Sequence, residues 1–211
     1  MIDPLLNKLL KKPLCGAAKQ LIKCGVNADA VTLIGFIIGI LAVPAIIFEQ
    51  YILALCLILL NRLGDGLDGA IARETSPTDA GGFLDITLDF IFYSAIVFAF
   101  ICAAPEQNAI AGSFLMLSFM ATGGSFLAFA IMASKHNIDS PKYPQKSLHY
   151  MGGLAEGFET ILVLCLFCLF PSQFVLIASI FAAICWLTAI IRIWMGYNTL
   201  IATIKPKDLS G

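Results

Sequence analysis

The sequence predicts an all-α integral membrane protein, with six transmembrane helices preceded by an N-terminal amphipathic helix at the membrane interface. Three observations carry this expectation. Hydrophobic residues make up 59% of the 211 positions and mean hydropathy is +0.90, far above the soluble norm. The apolar residues fall into runs long enough to cross a hydrocarbon core of about 30 Å as helix. Most charges lie between these runs, and one dense acidic stretch is the main exception.

The interfacial helix is expected over residues 4–24. There Leu5, Leu6, Leu9, Leu10, Leu14, Leu21 and Ile22 alternate with Lys8, Lys12, Lys19 and Lys23 at helical spacing, with Pro13 as an expected kink. Lysines running through the whole segment are unlike a cleaved signal peptide. Residues 30–48 lack charge and form the first span despite Pro44. The second, 51–72, begins apolar and then takes on Asn61, Arg62, Asp65 and Asp68. The third covers 82–104, and Pro105, Glu106, Gln107 and Asn108 read as a polar turn before the fourth, 109–134. A polar connection from Lys135 to Tyr150, with His136, Lys142, Lys146 and His149, leads to the fifth span, 151–170. Pro171 separates it from the sixth, 172–197. With no internal repeat, residues 1–211 read as one domain.

All ten lysines lie in the N-terminal segment, the 135–150 connection and the C-terminal tail, while the turns near Glu49, Glu106 and Pro171 have no basic residue. The positive-inside rule then places both termini, and the end of the hairpin between spans two and three, in the cytoplasm. A net charge of −1 points to no nucleic-acid partner. The seven cysteines are scattered, and the Cys165–Cys168 pair lacks the second pair and polar setting of a zinc or redox site.

Function concentrates between Asp65 and Asp89. Four carboxylates (Asp65, Asp68, Asp85 and Asp89) share this stretch with Arg73 and glycines 64, 66, 69, 81 and 82. Asp65 and Asp68 fall on one face of a helix, and so do Asp85 and Asp89. Pro77 interrupts the helix between the pairs, while Thr78 and Asp79 are good caps for a new one. The halves therefore make a helical hairpin with its acids near the closed end. Four ionised carboxylates facing one another in a membrane require positive charge between them. Oxygen donors with no His or Cys nearby suit a hard divalent ion, Mg²⁺ or Mn²⁺, and four carboxylates suffice for two. A purely structural salt-bridge cluster fails on number, because only Arg62 and Arg73 are close in sequence.

These residues resemble the motif of the CDP-alcohol phosphatidyltransferases, D-x2-D-G-x2-A-R followed by a loop and G-x3-D-x3-D. Here the pattern is Asp65, Asp68, Gly69, Ala72, Arg73, then Gly81, Asp85 and Asp89. The loop between Arg73 and Gly81 has seven residues where the family pattern has eight. The segment GGFLDITLDF is similar to a bacterial inner-membrane subgroup whose alcohol acceptor is unassigned. A family element P-N-x-[LI]-T at the start of the first span corresponds to Ala28, Asp29, Ala30, Val31 and Thr32, with Ala for Pro and Asp for Asn.

The resemblance implies transfer of a phosphatidyl group from a CDP-linked lipid to an alcohol hydroxyl with release of CMP, in phospholipid biosynthesis at the bacterial inner membrane. It implies Asp65, Asp68, Asp85 and Asp89 as ligands of two divalent ions, with Asp89 also the general base. Gly66, Gly69, Ala72, Arg73, Gly81 and Thr32 would contact nucleotide or substrate, and the family suggests a homodimer among membrane lipids. Gly66 and Gly69 read equally as sites of helix packing, and Arg73 as a snorkelling anchor. Arg62, one turn before Asp65, reads as its ion-pair partner, and Arg192 as balanced by Glu156 and Glu159. The acceptor, a small alcohol or a phosphorylated one, is not specified by any residue outside the motif. A cation-transport protein using the acids as an ion site is the alternative, although such folds usually carry a repeat and a mid-membrane site.

Overall fold

The computed structural model describes residues 3–136, 138 and 153–204, with side chains from Pro13 to Thr203 within those ranges. The side chains of Lys8 and Lys12, the residues Lys142, Lys146 and His149, and the predicted start of the fifth span at Met151 lie outside the described residues. Within them the chain is helical and contains no strand. The elements are α1 (Asp3–Lys23), α2 (Ala28–Ile40), α3 (Ala42–Ile47), α4 (Tyr51–Glu74), α5 (Asp79–Ala103), α6 (Pro105–Lys135), α7 (Gly157–Leu169) and α8 (Phe174–Ile204). A 3-10 turn, Pro171–Gln173, leads into α8.

The expected all-helical membrane architecture is present, and its outward surface is apolar. Ile110 is 87% exposed and Met120 75%, whereas Asn61, Asp68, Thr188 and Arg192 are buried. This inverts the soluble pattern and suits a lipid surround that offers backbone groups no hydrogen bonds. Among the described residues four stretches are long and apolar enough to cross a membrane: Ala28–Ile47, Asp79–Ala103, Pro105–Lys135 and Pro171–Thr203. The predicted second span, α4, has the length but carries the charged motif, and α7 is shorter than the predicted 151–170.

Several boundaries differ from expectation, each for a local reason. The first span breaks at Leu41, because Pro44 cannot donate to Ile40 and its ring crowds that carbonyl. By contrast α1 continues through Pro13. The predicted polar turn at residues 105–108 is instead the first turn of α6, with Pro105 at the position where a missing N–H costs nothing. Asp79 opens α5 three residues before the expected start, because Thr78 caps it by accepting the Gly81 N–H at 3.0 Å. Glu156 and Glu159 form the capping box that starts α7. The last helix extends to Ile204 rather than 197.

Alternation of the helices gathers the N-terminus of α2, the α4–α5 turn, the end of α6 and the start of α7 at one end of the bundle. Lys19 reaches Glu74 at 3.8 Å, which ties α1 to the same end. The opposite end is closed by short turns. At one of them Glu49 takes a left-handed conformation (φ 59°) so that Gln50 N–H can reach back to the Ala45 carbonyl at 2.7 Å. Gly25 plays the same part after α1 with φ 78° and no steric cost. Near the closed end Phe100 stacks on Phe174 (5.1 Å) and Tyr51 (5.8 Å) and meets Phe167 edge-on at 5.5 Å. This cluster stands roughly 16 Å along α5 from Asp89, eleven residues at 1.5 Å each.

The other decisive contact is between α2 and α4. Gly35 and Gly39, four apart on α2, let the α4 backbone approach so closely that Asn61 Nδ2 donates to the Gly35 carbonyl at 2.9 Å. A β-carbon on Gly39 would lie 2.9 Å from both the Asn61 amide and the Phe92 ring. Gly39→Ala should therefore destabilise the bundle by about 1–3 kcal/mol through overpacking, read as a lower thermal midpoint in detergent by circular dichroism. Glu49→Gly should do the opposite, relieving about 1 kcal/mol of backbone strain. An unchanged or lower midpoint for Glu49→Gly would contradict the strain assigned to that turn.

Candidate active site

The arms of the predicted hairpin, α4 and α5, touch each other less than each touches α2, so a pocket opens between them. It is lined by Thr32, Gly35 and Phe36 from α2, by Asn61, Arg62, Asp65 and Asp68 from α4, and by Asp85, Leu88, Asp89 and Phe92 from α5. All four acids predicted from sequence face this space.

Ligand oxygens of Asp65, Asp68 and Asp85 lie within 4.8 Å of one another. At that separation two unit charges repel by roughly 3 kcal/mol even at an effective dielectric constant of ~20. The arrangement needs positive charge, and three converging carboxylates with no nitrogen or sulfur donor match the coordination chemistry of a hard divalent ion. Thr32 Oγ1 donates to Asp68 Oδ2 at 2.6 Å, fixing that carboxylate from the neighbouring helix. Thr32, expected at the nucleotide, is thus found as the orienting partner of a prospective metal ligand.

Asp89 is placed differently from the other three. Its Oδ1 accepts from Arg62 Nη2 at 2.6 Å and its Oδ2 accepts from the Tyr93 hydroxyl at 2.9 Å. Arg62 is therefore not chiefly the partner of Asp65, which lies 3.7 Å from Nη1. The reason is reach: Asp89, across the pocket on α5, meets the guanidinium head-on, whereas Asp65 shares its helix one turn away. Asn61 and Tyr93 belong to no motif position and were not anticipated as site residues. The available signal was the spacing of Tyr93, one helical turn beyond Asp89 on the same face.

The remaining motif residues ring this centre. Gly66 faces α1, and a β-carbon there would meet the Leu14 side chain at 3.2 Å, so this glycine admits the interfacial helix. Leu14, Leu21 and Ile22 pack there with Ala18, Ala70 and Ile71 as a small second core. Over Gly69 lies the Arg73 guanidinium, which a β-carbon would approach to 3.2 Å. Gly81 sits against the Asp29 carboxylate, 2.9 Å from where its β-carbon would be. Ala72 is half-buried at the end of α4. Farther off, Arg192 contacts the Thr122 carbonyl at 3.4 Å and the Phe126 ring at 5.6 Å.

Comparison with known proteins agrees with this geometry. A family model described as CDP-alcohol phosphatidyltransferase matches residues 26–194. The inner membrane protein YnjF of Escherichia coli (strain K12) is 54% identical over 200 residues, covering 95% of this chain and 97% of that protein. Archaetidylinositol phosphate synthase of Pyrococcus horikoshii is 37% identical over 90 residues, 42% of this chain and 48% of that protein. Among solved structures, the Mycobacterium tuberculosis phosphatidylinositol phosphate synthase PgsA1 with CDP-DAG bound has a TM-score of 0.66 at 19% identity, over 87% of this chain and 93% of that one. PgsA1 in complex with manganese and citrate gives a TM-score of 0.66 at 20% identity, over 87% and 88%. At such identities the structural likeness speaks to the fold, and the fold is shared across nearly the whole length. The eight motif positions, the match over residues 26–194 and the near full-length relative converge, and the chain belongs to the CDP-alcohol phosphatidyltransferase family, a family of membrane enzymes.

Proposed function

We propose that this enzyme transfers the phosphatidyl group of CDP-diacylglycerol to the hydroxyl of a small alcohol or phosphorylated alcohol, releasing CMP. The observation that carries the reading is the convergence of Asp65, Asp68 and Asp85 within 4.8 Å beside Asp89, in the family's motif and register. The donor is supported by the PgsA1 structure described with CDP-DAG bound. Family membership runs against the cation-transport alternative.

In this reading Asp65, Asp68 and Asp85 hold divalent cation, with Asp89 completing the set for a second ion, either Mg²⁺ or Mn²⁺. Bound there, such ions would supply positive charge to a diphosphate whose oxygens gather negative charge as the bond to CMP lengthens. The chain's own residues do the rest. Thr32 keeps Asp68 turned toward the trio. Gly69, Ala72, Arg73 and Gly81 form the nucleotide side, where the exposed Arg73 offers a phosphate partner. Asp89 takes the proton from the acceptor hydroxyl. The acceptor oxygen then forms the new bond to the phosphatidyl phosphorus, and CMP leaves with the electron pair of the broken P–O bond.

The site opens at the bundle end where Lys19, Lys23, Arg73 and Lys135 lie, so the positive-inside rule assigns it and both termini to the cytoplasmic side of the bacterial inner membrane. The same alternation supports a reading of six spans, with α4 and α7 counted beside the four long apolar stretches. A homodimer is the expected assembly.

Purified protein in lipid nanodiscs should release CMP from CDP-dioleoylglycerol when Mg²⁺ or Mn²⁺ is present and stop when the ion is chelated. Glycerol 3-phosphate, inositol 1-phosphate and serine are the acceptors to screen. Loss of the base in Asp89→Asn should lower kcat by about 10²–10⁴-fold with the thermal midpoint retained. A variant keeping most of the rate would remove Asp89 from that role. Asp85→Asn should instead raise the Mn²⁺ concentration needed for half-maximal rate by about tenfold or more, as titration of the ion would reveal.

A further inference from the structure

Asp89 is held more completely than a simple ion pair requires. One oxygen is taken by Arg62 and the other by Tyr93, which rises from the next turn of the same helix. The guanidinium is itself immobilised: Nε and Nη2 both donate to Asn61 Oδ1, at 2.9 and 2.6 Å, and Nη1 donates to the Tyr93 hydroxyl at 3.3 Å. Its plane lies against the Phe92 and Tyr93 rings, 5.2 and 5.6 Å from their centroids. Asn61 is in turn anchored to the Gly35 carbonyl, a contact that the Gly35–Gly39 pair makes possible. Thus three helices determine one carboxylate rotamer. Each Asp89 oxygen has spent one hydrogen bond, and a carboxylate oxygen can accept two. The group is aimed without being saturated.

We propose that Arg62, steadied by Asn61 and Tyr93, is a positioning residue that sets the direction from which Asp89 meets the acceptor hydroxyl. This rests on the transferase reading above. Arg62 also lies close to Asp65, with Nη1 3.7 Å from its carboxylate, so the same guanidinium borders both the base and the metal-binding trio. A partner that only stabilised the fold would leave turnover unchanged once the protein was folded. A positioning partner instead affects kcat while donor binding and metal binding hold, because misalignment of a base by a fraction of an ångström is felt in the transition state.

The test compares wild type, Arg62→Lys, Tyr93→Phe and the double variant in nanodiscs. CMP release from CDP-dioleoylglycerol is measured with the acceptor that serves the wild type, and Mn²⁺ binding is titrated directly. Arg62→Lys keeps the charge but loses the fork, and should lower kcat about tenfold or more with KM for the donor within about twofold. Tyr93→Phe should lower kcat about fivefold, and the double variant should fall short of the product of the two, since both act through Asp89. Mn²⁺ affinity at the Asp65–Asp68–Asp85 trio should stay within about threefold throughout, while a second ion that shares Asp89 is free to weaken. Rates within twofold of wild type for both single variants would overturn the proposal, as would a raised donor KM at constant kcat or loss of Mn²⁺ from the trio. If Arg62→Lys does not fold, Tyr93→Phe decides, because it removes a single hydroxyl. An active wild type with indifferent variants defeats only the clamp, whereas a wild type that releases no CMP with Mn²⁺, donor and each of glycerol 3-phosphate, inositol 1-phosphate and serine defeats both readings.

Discussion

Mutual repulsion among the carboxylates between α4 and α5 is the constraint around which the molecule is arranged. In a lipid environment four acids cannot share a pocket by dilution into water. Arg62 supplies one fixed positive charge, directed chiefly to Asp89. Asp65, Asp68 and Asp85 are left facing one another within 4.8 Å, an arrangement that bound cations would stabilise. The three carboxylates thus make a donor set suited to a hard cation.

Holding such a centre requires rigid walls, and the small residues provide them. Gly35 and Gly39 bring α2 against α4, and Gly66 does the same for α1 on the opposite face of the motif helix. Side-chain packing replaces the hydrophobic effect as the force between helices in lipid, so close backbone approach is the means by which polar side chains from three helices are brought into register. Asn61 and Thr32 show the result: each reaches across a helix boundary to fix a charged neighbour or a carbonyl.

Much of this was legible in the chain itself. Long apolar runs announced the helices, Thr78 announced the start of α5, and the spacing of the aspartates put all four on the pocket. What could not be read depends on juxtaposition. Nothing in the local pattern says whether Arg62 will turn to Asp65 along its own helix or to Asp89 across the pocket, because that depends on the angle at which α4 and α5 diverge. Tyr93 is one aromatic among many in an apolar helix, and its spacing from Asp89 hints at a contact that only the finished packing makes definite. The left-handed Glu49 is a backbone response to closing a short turn, where composition gives little warning, whereas the break at Leu41 had its signal in Pro44.

The two ends of the bundle are built on different principles. At the end remote from the acids, Phe48–Gln50, Ala104 and Phe170–Gln173 join consecutive helices with hardly a residue to spare, and aromatic rings seal the space above them. Such a floor tolerates few insertions. The rim, by contrast, carries the widest gap between consecutive helices, the stretch from α6 to α7. Chain length has more freedom to vary at that end than at the floor, where each added residue would have to displace a packed ring.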